Sequence, residues 1–385
     1  MNVDSSINNR FLNYHNILNP PILFGTVKIR TKSAIMKHNP VIHGGKFSIS
    51  DLDPEIIDFS SNVGPLGIPP PVKQILKKIL DKMSLYPDLD STSLRSDLKK
   101  YVGFPESNLI VGNGAIEIIY NFCNAFLAKK KILIPAPTFS EYESASKLVD
   151  CKIEFFKTMN LSENLDLFIS KIPTNGCVFI CNPNNPTGNI LSKKQLKQII
   201  LTAKKKSCFV FVDECFIELV PKSNESVLPL IKKFDNLFVL RSLTKSFGLA
   251  GVRIGYGVGS KQMIKILQKI KIPWSVNVLA QEAGILAIKN KSHLKKSKLI
   301  IQKEYLFLKN SINNIKGFEC HESSTNFILI KTKQNSTKIQ KQLLKHKILI
   351  RDCRNFHGLN NNYIRIAIKS HKDNLKLVKA MEIIS

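Results

Sequence analysis

Four short runs constrain this chain more than anything else in it: Lys131-Ile-Leu-Ile-Pro, Cys177-Val-Phe-Ile-Cys, Phe209-Val-Phe-Val-Asp213 and Leu237-Phe-Val-Leu-Arg241. Each is apolar without alternation, so a strand built from it needs cover on both faces. Helical patterns lie between some of them. Ser192 to Lys206 is one, and a stretch opened by Pro71 spaces Val72, Ile75, Leu76, Ile79, Leu80 and Met83 at a 3.6-residue period. Doubly buried strands separated by helices predict an α/β fold with a mostly parallel sheet flanked by helices. In such sheets a ligand sits at the carboxyl ends of the strands. Leu109-Ile-Val adds a further strand that runs into Gly112-Asn113-Gly114. A helix follows there, with Ile116, Ile119, Tyr120 and Cys123 on one face. The last stretch reads as a long helix and then strands over 326–331, 348–351 and 363–368, which predicts a smaller α+β domain.

At 385 residues the chain exceeds one ordinary core. The expected division is a leader over 1–40, an N-terminal segment over 41–70 joining the small domain, a large domain over 71–280 and a small C-terminal domain over 281–385. The leader is Asn-rich, has no signal-peptide core, and is either flexible or precedes a true start at Met36. No apolar run approaches the ~20 residues that cross a bilayer, so no membrane association is expected. The eight cysteines have no CxxC or zinc spacing and read as reduced thiols of a cytoplasmic protein, with no metal site. A formal charge of +28 invites a nucleic-acid reading, but the lysines are spread along the chain without an accompanying nucleic-acid motif. No nucleic-acid partner is expected, while a small anionic substrate would benefit from the field.

Chemistry concentrates in Ser242-Leu-Thr244-Lys245-Ser-Phe-Gly-Leu-Ala-Gly-Val-Arg253. A lysine amine with its pKa lowered by burial and nearby positive charge can form a Schiff base with an aldehyde. Arg253 can fork onto a phosphate, and the Ser242 and Thr244 hydroxyls can donate to the same group. Aldehyde and phosphate together describe pyridoxal 5′-phosphate (PLP). Its ring nitrogen needs a carboxylate beside it, and Asp213 ends a buried strand. Its phosphate also needs backbone donors, which Gly114, Ala115 and Ile116 offer where a strand turns into a helix. A second glycine run, Gly255-Tyr-Gly-Val-Gly259, lacks the spacing of a dinucleotide loop.

Three segments taken together are Asn182-Pro-Asn-Asn185-Pro-Thr-Gly188, the strand ending in Asp213, and the Lys245 to Arg253 stretch. This set resembles the fold-type I PLP-dependent transferases of the class I/II aminotransferase group, over about His43 to the C-terminus. The resemblance implies that Asn185 bonds the phenolic oxygen of the cofactor, Asp213 pairs with its ring nitrogen and Lys245 is the catalytic lysine. It implies that Arg253 binds the phosphate, Phe139 stacks on the ring and Arg365 clamps the substrate carboxylate. Tyr86 would reach the cofactor phosphate of a neighbouring subunit, so a homodimer with shared active sites is implied.

Within that group, two kinds of enzyme that bind phosphorylated amines fit best: histidinol-phosphate aminotransferases and threonine-phosphate decarboxylases. Three features resemble the decarboxylases: His43-Gly44-Gly45 ahead of Asp58-Phe-Ser-Ser-Asn62; Phe216 where aminotransferases mostly carry tyrosine; and Arg351-Asp-Cys-Arg354-Asn-Phe-His-Gly-Leu359. Gly64 and Cys215 depart from that pattern. The expected substrate is a small phosphorylated amino acid, L-threonine O-3-phosphate, contacted by His43, Gly44, Asn185, Arg351, Arg354 and Arg365. Its decarboxylation belongs to cobalamin biosynthesis. The alternative is histidinol-phosphate transamination in histidine biosynthesis.

Overall fold

The computed structural model describes residues 31, 33–36, 38–45, 53–221 and 224–385. The expected leader falls almost wholly outside them; the helical turn Ser33–Met36 is the element described there.

The strands are β1 (Ile57–Asp58), β2 (Leu109–Asn113), β3 (Lys131–Ala136), β4 (Lys152–Lys157), β5 (Cys177–Cys181), β6 (Phe209–Asp213), β7 (Leu237–Ser242) and β8 (Ile254–Val258), followed by β9 (Phe318–Cys320), β10 (Phe327–Thr332), β11 (Ile348–Leu349), β12 (Arg351–Asp352) and β13 (Tyr363–Ala367). Seven of them form one sheet in the order β2-β8-β7-β6-β5-β3-β4. Neighbours from β7 to β4 pair in parallel, and β8 runs antiparallel between β2 and β7. A second sheet, β12-β13-β10-β9, is antiparallel. The fold is therefore that of a fold-type I PLP-dependent enzyme: a large, mostly parallel sheet covered by helices, with a small antiparallel sheet beside it.

The unalternating strands are unalternating because both faces are buried. Phe179, Phe211 and Phe238 pack to one side with Phe122 of the helix Gly114–Phe126. Val178, Val212 and Val239 pack to the other with Leu196 and Ile200 of the helix Lys193–Lys205. That second helix starts where Ser192 and Gln195 close a capping box, satisfying donors that the first turn would leave open.

Sequence and structure differ in three instructive places. The helix opened by the proline run covers Pro70–Lys78 and gives way to a 3-10 turn over Leu80–Ser84. Val72 and Ile79 of the stripe are buried, but Leu80 and Met83, which continue the period, are 54% and 63% exposed. On the helix Gly114–Phe126 the buried residues are Ile118, Ile119, Phe122 and Cys123, while Ile116 and Tyr120 are half-buried. The run 348–351 divides at Ile350: β11 pairs with β1, and β12 pairs with β13.

The glycine run 255–259 is neither loop nor turn. It supplies β8, whose glycines make room for neighbours: a methyl on Gly257 would overlap the edge of the Phe238 ring, and one on Gly255 would sit 2.6 Å from the Ala115 nitrogen. Gly257→Ala should therefore lower stability by about 1–3 kcal/mol, as overpacked cores do. Gly251→Ala, which meets nothing within 4 Å, serves as the control. Thermal unfolding of the two variants checks this, and equal melting temperatures would refute it.

Candidate active site

The carboxyl ends of three parallel strands open onto one cavity of about 320 Å³. Cys181, Asp213 and Ser242 are the last residues of β5, β6 and β7, and all three line it. So do Ala115, Ile116, Phe139, Asn185, Thr244, Lys245, Arg253 and Arg365, which distant parts of the sequence contribute.

Asp213 lies at the floor, 4% exposed. Its Oδ2 accepts from the Tyr142 hydroxyl at 2.7 Å and its Oδ1 from the Cys215 amide at 2.8 Å. Burial pushes its pKa up, and these two hydrogen bonds only partly offset that. Both donors are neutral, so the carboxylate is held without a cation of its own. Lys245 sits in the helical turn Leu243–Ser246, enclosed except where it meets the cavity. Burial first, then the Arg365 and Arg253 charges, lower its pKa to about 8.

The first turn of the helix Gly114–Phe126 joins the cavity wall through Ala115 and Ile116. Ser242 Oγ lies 2.6 Å from Thr244 Oγ1 and accepts from the Thr244 amide at 3.2 Å. Gly114 does not itself line the cavity. It stands behind Arg253: a Cβ there would come within 2.5 Å of Arg253 Nη2, at a φ of +76° that L-residues rarely adopt. Arg253 also has positive φ, +66°, and Nη1 donates to the Ala250 carbonyl at 2.9 Å. Backbone N–H groups, two hydroxyls and a guanidinium thus converge on one spot.

Arg365, in β13, is buried over the face of Phe327. Its Nη1 donates to Asn185 Oδ1 and its Nη2 to the Ser60 carbonyl at 2.8 Å, while Nε is buried with no partner. Burial lowers its pKa to about 10. Phe216 also lines the cavity and packs edge-on against Phe327. The segment Val41–Gly44 closes one wall, tied down where Arg351 Nη2 donates to the Ile42 carbonyl at 2.7 Å.

Besides Gly114, two expected site residues lie outside the cavity wall. Arg354 lines an adjoining depression of about 200 Å³, which shares His43 and Arg351 with the cavity, and its Nε pairs with Asp352 at 3.4 Å. β12 ends at Asp352, and of the two arginines only Arg351 reaches the Lys245 cavity while both line the depression. Tyr86 is 83% exposed on the surface, its ring 5.1 Å from that of Trp274. Conversely, Tyr142 and Glu141 were not legible as site residues. Only their place in the helix Glu141–Lys147, immediately after Phe139, points to them.

An amine poised near neutrality, a buried acid with only neutral partners and a convergent anion cradle share one cavity. They match the aldehyde, the ring nitrogen and the phosphate of a single group, and that group is PLP. Fold and site together define a PLP-dependent enzyme. The chain matches the family described as aminotransferase class I and II over residues 54–383, and it belongs to that family. A candidate threonine-phosphate decarboxylase of Caldanaerobacter subterraneus is 38% identical, with 90% of this chain and 94% of that one covered. A histidinol-phosphate aminotransferase of Methanococcus aeolicus is 32% identical, with 85% and 90% covered. The crystal structure of an L-threonine-O-3-phosphate decarboxylase from Porphyromonas gingivalis superposes with a TM-score of 0.77 at 27% identity, covering 86% of this chain and 99% of that one.

Among the described residues no helix is long and apolar enough to cross a membrane, and no His/Cys/Asp/Glu group could hold a metal. The eight cysteines are free.

Because only the neutral amine attacks an aldehyde, covalent PLP uptake by the apoenzyme should accelerate as pH rises through about 8, the value to which Lys245 is lowered. The visible absorption band of the lysine-bound cofactor follows it. A rate independent of pH between about 6.5 and 9.5, or a band that survives Lys245→Ala, would contradict this assignment.

Proposed function

We propose that this enzyme decarboxylates L-threonine O-3-phosphate to (R)-1-amino-2-propanol O-2-phosphate, a cytoplasmic step toward cobalamin. The observation that carries the reading is a meeting of two distant segments at one wall of the Lys245 cavity. His43 and Gly44 line that wall beside Arg351, and the Arg351 side chain holds the Ile42 carbonyl. These are the segments in which the sequence resembles the decarboxylases. Phe216, which brings no hydroxyl to the cavity, supports the same reading, as does the 38% identical relative.

When bound, PLP supplies an electron sink for the pair left at Cα as a bond there is cleaved. This chain's residues select the bond. Arg365 receives the substrate carboxylate, with Nε as a donor not otherwise engaged. Arg351 and His43 receive the phosphate, with Arg354 at the far side of the adjoining depression. Anchoring the substrate at both ends restricts how its Cα substituents are turned, and a displacement of about 1 Å is enough to change the outcome. Asp213 would hold the ring nitrogen of that group, the Asn185 amide N–H its phenolic oxygen, and Phe139 would cover its ring. As CO₂ leaves, Lys245 in its ammonium form would deliver the proton that Cα takes up and return to the neutral amine.

The 32% identical relative favours a second reading, histidinol-phosphate transamination. One assay separates the two. Holoenzyme given threonine phosphate alone should release CO₂ with no keto-acid acceptor present. Turnover that requires both histidinol phosphate and 2-oxoglutarate would overturn the decarboxylase reading.

The reading extends to a homodimer with shared sites. Tyr86 does not line the Lys245 cavity of its own chain, and it projects with Leu85, Ile272 and Trp274 as exposed apolar surface. Covering that surface with a second copy gives Tyr86 a cofactor phosphate to meet. Sedimentation equilibrium should give twice the chain mass of 43.4 kDa, and a single chain mass for active holoenzyme would sink the dimer.

A further inference from the structure

We propose that Glu141 is a positioning residue for His43, fixing which ring nitrogen faces the substrate. The inference rests on the reading of His43 as a contact for the substrate phosphate. Glu141 is 5% exposed at the start of the helix Glu141–Lys147, and a buried acid there needs a reason. Its two oxygens are divided between two partners. Oε1 lies 2.5 Å from His43 Nε2, and Oε2 accepts from the Tyr120 hydroxyl at 2.6 Å. Tyr120 comes from the helix Gly114–Phe126 and also lies 3.0 Å from Ser144 Oγ, so two helices hold the carboxylate still.

Burial pushes the Glu141 carboxyl up, but the hydrogen bonds from His43 and Tyr120 outweigh it and hold the group below its usual range. An ionised carboxylate accepts only, so His43 must carry a proton on Nε2. Nδ1 is then the one ring nitrogen left for the cavity. It can accept from a phosphate hydroxyl or, once protonated, donate to a phosphate oxygen. The His43 ring rests 6.1 Å from that of Phe139, two residues before Glu141. One short stretch therefore carries both the residue expected to stack on the cofactor and the residue that aims the histidine. The backbone of the same segment is fixed separately, by Arg351 on the Ile42 carbonyl and by Ser60 Oγ accepting from the Gly45 amide at 2.8 Å. Glu141 thus sets the ring and not the path of the chain.

The test uses PLP-loaded enzyme with Glu141→Ala, Glu141→Gln, His43→Gln and the double variant Glu141→Ala/His43→Gln. Losing the hydrogen bond that orients the ring should raise KM for threonine phosphate about tenfold in Glu141→Ala, with kcat within about twofold. Glu141→Gln keeps an acceptor oxygen and should restore most of the loss. The double variant should be no worse than His43→Gln alone. In parallel, ¹⁵N spectra of histidine-labelled wild type, assigned with His43→Gln, should show His43 protonated on Nε2, a pattern kept in Glu141→Gln and lost in Glu141→Ala. Equal losses in kcat and KM, multiplying effects in the double variant, or a wild-type His43 protonated on Nδ1 alone would each overturn the proposal. Should wild type release no CO₂ from threonine phosphate, the decarboxylase reading fails, and the nitrogen spectra with inorganic phosphate as the titrant still decide the role of Glu141.

Discussion

The parallel register of β5, β6 and β7 is the constraint on which the site depends. Cys181 pairs with Asp213 and Asp213 with Leu240, so the three strands end at nearly the same level. Asp213 can be held there only because the sheet beneath it is sealed on both faces by Phe179, Phe211 and Tyr142 on one side and by valines on the other. An exposed carboxylate would have nothing to gain from a ligand cation, since water already solvates it. Buried with two neutral donors, it favours any group that brings a proton into contact with it. The same closure lowers the Lys245 pKa. One act of burial therefore prepares an acid and an amine in opposite senses, which is the pairing that PLP chemistry asks of a protein.

Antiparallel β8 plays a quieter part. By returning between β2 and β7 it brings Gly255 against the start of the helix Gly114–Phe126, so close that no side chain fits. That contact sets the depth of the helix start and hence the position of Ala115 and Ile116 in the cavity wall. Arg253 immediately precedes β8, and its positive φ turns the guanidinium back across Gly114. The anion cradle is thus held by packing of Gly114 and its helix against the Arg253–Gly255 stretch, which lies far from it in sequence. The spacing of any one motif does not contain that arrangement.

Much of this was legible in the sequence, for a physical reason. Doubly buried strands cannot hide among polar residues, so β3, β5, β6 and β7 announce themselves. A lysine, an acid and an asparagine that each follow such a strand must then share an edge. The parts that escaped depend on side-chain direction. The stripe that continues to Leu80 and Met83 has the period of a helix, but only Val72 and Ile79 in it are buried, and pattern alone cannot distinguish an inner residue from one waiting for a partner. The glycines at 255–259 could be ruled out as a dinucleotide loop, but their purpose was not legible, because sequence does not reveal the Phe238 ring packed against Gly257 and Gly259. Arg354 looks equivalent to Arg351, but past the end of β12 it reaches only the depression that Arg351 shares with the cavity. Tyr142 and Glu141 are invisible as site residues because one meets Asp213 and the other His43 only through the tertiary fold.

Charge explains why the cavity tolerates so many basic groups at once. Lys245, Arg253, Arg351 and Arg365 all line it, against the single buried carboxylate of Asp213. Four cations in about 320 Å³ repel one another, and the lowered pKa of Lys245 and of Arg365 records that cost together with their burial. Under the proposed reaction a cofactor phosphate would answer Arg253, and a substrate with its own carboxylate and phosphate would answer Arg365 and Arg351. Losing a carboxylate as neutral CO₂ then removes the anion opposite Arg365 while the phosphate end stays neutralised. Under the proposed reaction the product is held at one end only. A site built from opposed cations therefore binds the substrate at two points and its product at one, so release is favoured by the same electrostatics that made binding selective.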